Sequence, residues 1–191
     1  VVEMEVIPTT ASDATIVNVI DGASAVRTDF VETGEDNGAI FSAVRPNGIA
    51  NVTAYVYANL TGSPNVDLSS RKIVSDKPYV HSNESSIAQA VDVKFKPGQL
   101  VRVIKYVGGA STDAFVDPKQ TAKNAVSAGM RNGYTQSLRT HLMEWQNVMP
   151  EGSVDHYAFP NGTLPADSHI IDLAVISVTS TYYLLQNTVS K

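Results

Sequence analysis

Cysteine is absent from the 191 residues. That excludes disulfide staples and thiolate metal sites, and it leaves the redox compartment open, because a chain of this length can fold without cross-links. Charge is sparse: 14 Lys and Arg stand against 19 Asp and Glu, a net charge of −5. So weak and scattered a balance excludes a broad phosphate-binding surface, and nucleic acid is not an expected partner. Of the four histidines, His81, His156 and His169 are isolated, and His141 lies one helical turn from Glu144 without a zincin motif, so a metal site has no ligand cluster to rest on. Gly108-Gly109 lacks the glycine spacing of a dinucleotide loop, and neither a Gly-Lys-Ser/Thr phosphate cradle nor a Gly-x-Ser-x-Gly elbow occurs. No catalytic, cofactor-binding or metal-binding residue is therefore assigned. The longest apolar stretch, Ile170 to Leu185, is interrupted by Asp172, Ser177, Thr179, Ser180 and Thr181 and is short for a bilayer span. A soluble protein without a membrane span is expected. The N-terminus has no signal-peptide pattern; Val1 to Val6 alternates like the interior of a strand, as if the chain begins mid-structure.

What is present divides into two halves. The first contains short period-two runs separated by turn residues. Val2, Met4 and Val6 share one face before Pro8. Thr15 to Ile20 is β-branched and closes at Asp21-Gly22. Asn51 to Ala58 sets Val52, Ala54 and Val56 opposite Tyr55 and Tyr57. Val91, Val93 and Phe95 face away from Asp92, Lys94 and Lys96; Pro97-Gly98 turns, and Leu100 to Val107 returns. Five to seven strands, each sheet with one wet face, predict an antiparallel β-sandwich with strands missing upstream.

After Phe115 the period changes to that of helices. Asp117 is a cap, Pro118 suits the first helical position, and Ala122, Val126, Gly129 and Met130 keep one face until Gly133 stops the helix. Small residues on that face predict close packing. A second helix places Tyr134, Leu138, Leu142 and Trp145 on one stripe. Gly152, Pro160, Gly162 and Pro165 then mark a long loop. Ile170 to Val178 is β-branched, yet its length and the Asp167 cap favour a helix. That helix is apolar nearly all round, and nothing else in the chain remains to bury it.

Carboxylates are plentiful but unpaired. Asp113 and Asp117 bracket a strand-to-helix loop and are better read as loop and capping groups than as catalysts. Glu144 beside Trp145 could line a sugar platform, but a tryptophan on a helical stripe is more often packed.

The order Lys105-Tyr-Val, Ser111-Thr-Asp113, an Asp117-Pro118 helix, a Gly133-Tyr134 helix, His141-x-x-x-Trp145, and an Asp167-initiated helix ending Tyr-Tyr-Leu-Leu-Gln-Asn resembles glycoside hydrolase family 65. Within that family the pattern is most similar to the fungal acid trehalase branch. The resemblance covers Val91 to Asn187 best. It implies a β-sandwich joined by a helical linker to an (α/α)6 barrel, with the catalytic carboxylates on the barrel. On that basis residues 1–112 are an incomplete supersandwich, 113–150 a helical linker, 151–166 a loop and 167–191 the first barrel helix. The implied activity is inverting hydrolysis of α,α-trehalose to glucose by the whole protein, this segment being inactive alone. The implied partners are the remaining polypeptide of the same enzyme, a disaccharide bound by its barrel, and a second copy in a homodimer; no cofactor is implied. Lys105, Tyr106, Ser111, Thr112, Asp113, His141 and Trp145 match as residues joining sandwich to linker. Gly109 and Ala110 stand where a less glycine-rich run is expected. The alternatives are a disaccharide phosphorylase of the same family and a free-standing glycan-binding sandwich.

Four Asn-x-Ser/Thr sequons begin at Asn51, Asn59, Asn83 and Asn161, against roughly two expected by chance from such a composition. They point to a glycoprotein on the secretory route, whether secreted, in the cell wall or vacuolar.

Overall fold

The computed structural model describes residues 1–22, 25–49, 51–74, 84–150 and 157–186. Asn83, His81, His156 and the Glu151-Gly152 turn, all singled out in the sequence, lie outside these. Two compact units are present, Val1–Ser137 and Leu138–Lys191.

The first unit is built from eight strands: β1 (Val2–Val6), β2 (Ser12–Ile20), β3 (Thr28–Asp36), β4 (Ala39–Pro46), β5 (Ala54–Gly62), β6 (Val66–Val74), β7 (Ile87–Phe95) and β8 (Val101–Ser111). They form a five-stranded sheet in the order β1-β8-β5-β4-β3 and a three-stranded sheet in the order β2-β7-β6. Every pairing is antiparallel. The sheets pack face to face through Leu60, Val101 and Val103 on the larger and Val66, Val91 and Val93 on the smaller, with Ile40, Ala58 and Ile87 forming a second cluster. This is the antiparallel sandwich that the alternation predicted, with eight strands among the described residues where five to seven were expected.

Helix α1 (Pro118–Val148) opens against the other face of the large sheet, where Ala122 and Val126 pack on Phe41, Tyr57 and Tyr106. The expectation of one wet face per sheet is thus corrected for the large sheet. In β5, Tyr57 lies under α1 while Ala58 and Leu60 lie under the small sheet, so the strand is covered on both sides. The outer face of the small sheet is wet, with Asp13, Thr15, Asp92 and Lys94 exposed or half-exposed. Val2 and Met4, expected to share a face with Val6, do so, but remain 60% and 41% exposed. The strand expected from Asn51 starts at Ala54, because Asn51 adopts φ 62°, a left-handed conformation that ends the ladder.

The close approach of α1 has a simple cause. A Cβ on Gly108 would lie 2.4 Å from the Ala122 carbonyl oxygen, and one on Gly129 would lie 3.0 Å from the Tyr106 ring. Glycine on both elements lets the helix backbone settle onto the strand. At Gly133, φ 74° and ψ 173° interrupt the helical dihedrals, which is the stop expected there.

In the second unit, α1 continues to Val148, and helix α2 (Ser168–Gln186) follows Asp167, whose Oδ1 accepts from the His169 N–H at 2.9 Å. No described residue of α2 is buried. It is, by length and composition alone, apolar enough to cross a bilayer. Ile176 and Leu184 are 59% and 72% exposed, the uncovered greasy helix that the sequence anticipated.

Candidate functional site

Three places in the molecule gather chemistry. The first is the junction between α1 and the large sheet. Asp117 caps α1, its Oδ1 accepting from the Gln120 N–H at 2.9 Å. Two lysines one turn apart on the helix then reach β3: Lys119 Nζ meets both Glu32 oxygens at 2.9 and 3.1 Å, and Lys123 meets Asp36 at 2.7 Å. The Lys119 ammonium also sits 4.5 Å from the Phe41 ring centroid, a cation–π contact. Phe41 in turn stacks on Tyr57 at 4.9 Å. Burial pushes the Tyr57 hydroxyl up to about 12, with the nearby Asp36 and Glu32 charges adding to the effect. Burial, followed by the Glu32 hydrogen bond, raises Tyr55.

The second is a cavity of about 320 Å³ inside one end of the sandwich, walled by Ser42, Val44, Val56, Ala58, Lys105 and Val107. The Lys105 ammonium donates to the Val19 carbonyl at 2.6 Å, and burial lowers its pKa from the ordinary lysine value. Among the described residues lining this cavity, Asp21 is the one carboxylate. A third place, an open hollow of about 390 Å³ bounded by Thr61, Gly62, Ser63, Leu100, Arg102 and Ile104, has none. Inverting hydrolysis of a glycosidic bond needs two carboxyl groups facing each other across room for a water. Among the described residues neither hollow supplies them.

The residues picked out in the sequence fall into separate settings. Lys105 is not at the strand-to-helix corner but within the sandwich, because its β8 position shares the inner face with Val101 and Val103. Tyr106, on the other face, is 2% exposed beneath α1. Ser111, Thr112 and Asp113 do form the corner. The Ser111 hydroxyl donates to Asp113, and Thr112 both donates through its hydroxyl to the Asn51 carbonyl at 2.9 Å and accepts from the Thr53 N–H at 2.9 Å. Asp113 and Asp117 are thus loop and capping groups. In the second unit the Trp145 Nε1–H donates to His141 Nε2 at 3.1 Å, and the Trp145 ring stacks on Tyr182 at 4.7 Å. Glu144 is exposed on the adjoining helical surface. Among the described residues no group of three or more His, Asp or Glu is arranged to hold a metal.

The sequons differ. Asn51 and Asn161 are exposed, while Asn59 is 7% exposed within β5. What sequence reasoning missed is the pair of helix-to-sheet ion pairs. Lys119 and Lys123 carry a detectable i, i+4 spacing, but their partners Glu32 and Asp36 lie on β3, a strand that was not anticipated.

Comparison with known proteins agrees with this geometry. Residues 1–148 match the profile described as glycosyl hydrolase family 65, N-terminal domain. Over 192 aligned residues, all of this chain and 18% of the relative, it is 61% identical to the acid trehalase of Emericella nidulans. It is 50% identical to the cell wall acid trehalase of Arthroderma benhamiae over 99% of this chain and 18% of that protein. A cell wall acid trehalase of Candida albicans is 26% identical over 90% of this chain and 14% of its own length. The chain thus spans less than a fifth of the curated relatives it matches. A solved structure described as a putative kojibiose phosphorylase from human microbiome superimposes with TM-score 0.58 over 77% of this chain and 19% of that one, at 8% identity, a likeness of fold alone. With its sandwich, its helix-on-sheet junction and a profile match over residues 1–148, the chain belongs to glycosyl hydrolase family 65, as that family's N-terminal domain.

Proposed function

We propose that this chain is the non-catalytic sandwich and linker of an acid trehalase, a glycoside hydrolase that converts α,α-trehalose to glucose with inversion. The observation that carries the reading is 61% identity along the whole chain to an acid trehalase. In it, residues 113–150 act as the linker and residues 167–191 as the first helix of a catalytic barrel contributed by further polypeptide. The disaccharide binds that barrel, which supplies both carboxylates. The exposed apolar surface of α2 supports this assignment, because such a face is covered by neighbouring helices in a stable fold. The junction residues Lys119, Lys123, Glu32 and Asp36 have a mechanical role here: they hold the linker against the sandwich.

Two of the three relatives are named cell wall trehalases, which supports a cell wall or secreted location; a vacuolar pool is a further assignment of the same kind. Assembly of the enzyme as a homodimer is part of the proposal.

The rival is a phosphorylase of the same family, favoured only by the fold likeness at 8% identity. The complete protein is to be incubated with trehalose with and without inorganic phosphate. Glucose as the sole product, unaffected by phosphate, is expected; glucose 1-phosphate would remove the hydrolase reading. The isolated 191 residues should have no activity, and turnover by them would remove the assignment of catalysis to the barrel.

A further inference from the structure

The three described sequons are chemically alike in sequence and unlike in their surroundings. We infer that Asn161 carries an N-linked oligosaccharide and that Asn59 is left bare, a sorting that rests on the secretory placement proposed above. Asn59 lies in the middle of β5, opposite Tyr106 of β8, and is 7% exposed. Its Oδ1 accepts from the Leu60 N–H at 2.8 Å and from Arg71 Nη2 at 3.3 Å. The same guanidinium donates to the Leu60 carbonyl at 2.8 Å and the Leu68 carbonyl at 3.0 Å. Nδ2 belongs to a buried carboxamide whose oxygen is held by Leu60 and Arg71, so a sugar attached there would have to open the packing around β5 and disturb these bonds, a costly change at a residue only 7% exposed. A bulky, hydrated oligosaccharide belongs on a surface loop instead.

Asn161 meets that requirement. It is exposed in the turn between α1 and α2, where the Phe159 N–H donates to the Thr163 carbonyl at 2.8 Å and the Gly162 N–H to the Phe159 carbonyl at 2.8 Å. Gly162 holds φ 81°, which this turn requires and a side chain would resist. Within the turn, Asn161 Oδ1 accepts from the Thr163 hydroxyl at 2.6 Å and the Thr163 N–H at 3.1 Å. The amide oxygen is thus occupied and polarised by the sequon's own hydroxyl, while Nδ2 has no acceptor among the described residues. Nδ2 is the atom that reacts. With a lipid pyrophosphate-linked oligosaccharide as donor, the Nδ2–C1 bond forms, the C1–O bond to pyrophosphate breaks, the amide proton passes to a base of the transferase, and the lipid pyrophosphate leaves. Asn51 is also exposed, but its described contact is the backbone one to Thr112, and its occupancy does not bear on the sorting. The sugar would shield Phe159 and Leu164, 54% and 45% exposed on either side of the sequon.

The test is peptide mapping of the complete natural protein after enzymatic removal of N-glycans in heavy-oxygen water, which marks each formerly glycosylated asparagine as a labelled aspartate. Label at Asn161 and none at Asn59 is the expected result. Label at Asn59, or an unlabelled Asn161 in a protein labelled at Asn51 or Asn83, overturns the sorting and leaves the secretory reading standing. Absence of label at all four overturns the sorting, and absence of label anywhere in the complete protein overturns the secretory reading as well. In the complete protein, T163A should lose one oligosaccharide by intact mass, and T163S should retain it in part. Unchanged mass in T163A would equally overturn the inference.

Discussion

Gly108 on β8 faces the carbonyl oxygen of Ala122 on α1 so closely that a built Cβ would stand 2.4 Å from it. The contact is backbone against backbone, and neither partner can swing aside as a side chain would. Gly108→Ala should therefore lift the helix from the sheet and destabilise the protein by about 1–3 kcal/mol, as overpacked cores do. Urea unfolding of the complete protein measures this. An unchanged midpoint would show that α1 is more loosely seated than the geometry indicates.

Tyr57 offers a substitution with the opposite sign. Its ring is fully buried against Phe41, while its hydroxyl has no hydrogen-bond partner among the described residues. Tyr57→Phe should keep the packing and be neutral or stabilising at pH 7, because it removes an unpaired buried polar group. The folded-state pKa is raised from 10 to about 12, so the hydroxyl stays protonated in the folded protein where the unfolded chain has already ionised. Stability is then intact below pH 10 and falls between pH 10 and 12, by at most about 2 to 3 kcal/mol from this group. Thermal melts of wild type and Y57F across that range should diverge in favour of the variant.

Asp117 stabilises the start of α1 through the Gln120 N–H. Asp117→Ala should cost about 0.5–2 kcal/mol, whereas Asp117→Asn should cost less, because Asn caps nearly as well. If Asp117 had a catalytic role in the complete protein, both variants would lose turnover. The capping role predicts that kcat survives in both.

α2 predicts the behaviour of the isolated chain. Leu173 and Ile176 are 50% and 59% exposed, and exposed apolar faces of this kind drive association. The 191-residue chain should sediment as oligomers in a concentration-dependent manner, and the L173K/I176K double variant should shift it toward monomer. A monodisperse monomer that binds glycans would favour the free-standing module instead.

Legibility in the sequence varied from element to element. The helices were readable because their signals are local: Asp117-Pro118 starts α1, Gly133 breaks it, and Asp167 starts α2. Strands β1, β5 and β7 showed as alternation, β2 as a β-branched run and β8 as the run returning after Pro97-Gly98. β3 and β6 did not, because each carries an irregularity that flips the inward and outward parity, between Phe30 and Glu32 in one and between Asp67 and Lys72 in the other. β4 was missed although Asn37-Gly38, at φ 51° and 77°, is a strong hairpin signal. Which sequon is accessible could not be read, since Asn59 and Asn161 differ only in what folds around them.

By itself the sequence determined the family, the sandwich-then-helix order and the helix boundaries, since these depend on residue identity, periodicity and capping over a few neighbouring positions. Only the tertiary structure decided that Lys105 turns into the sandwich to meet Val19, that Lys119 and Lys123 fasten α1 to β3, and that Gly108 exists to admit a helix backbone. Those contacts join residues 87 positions apart in the case of Lys119 and Glu32, and pairing across such a distance is set by sheet order and register, which no local pattern encodes.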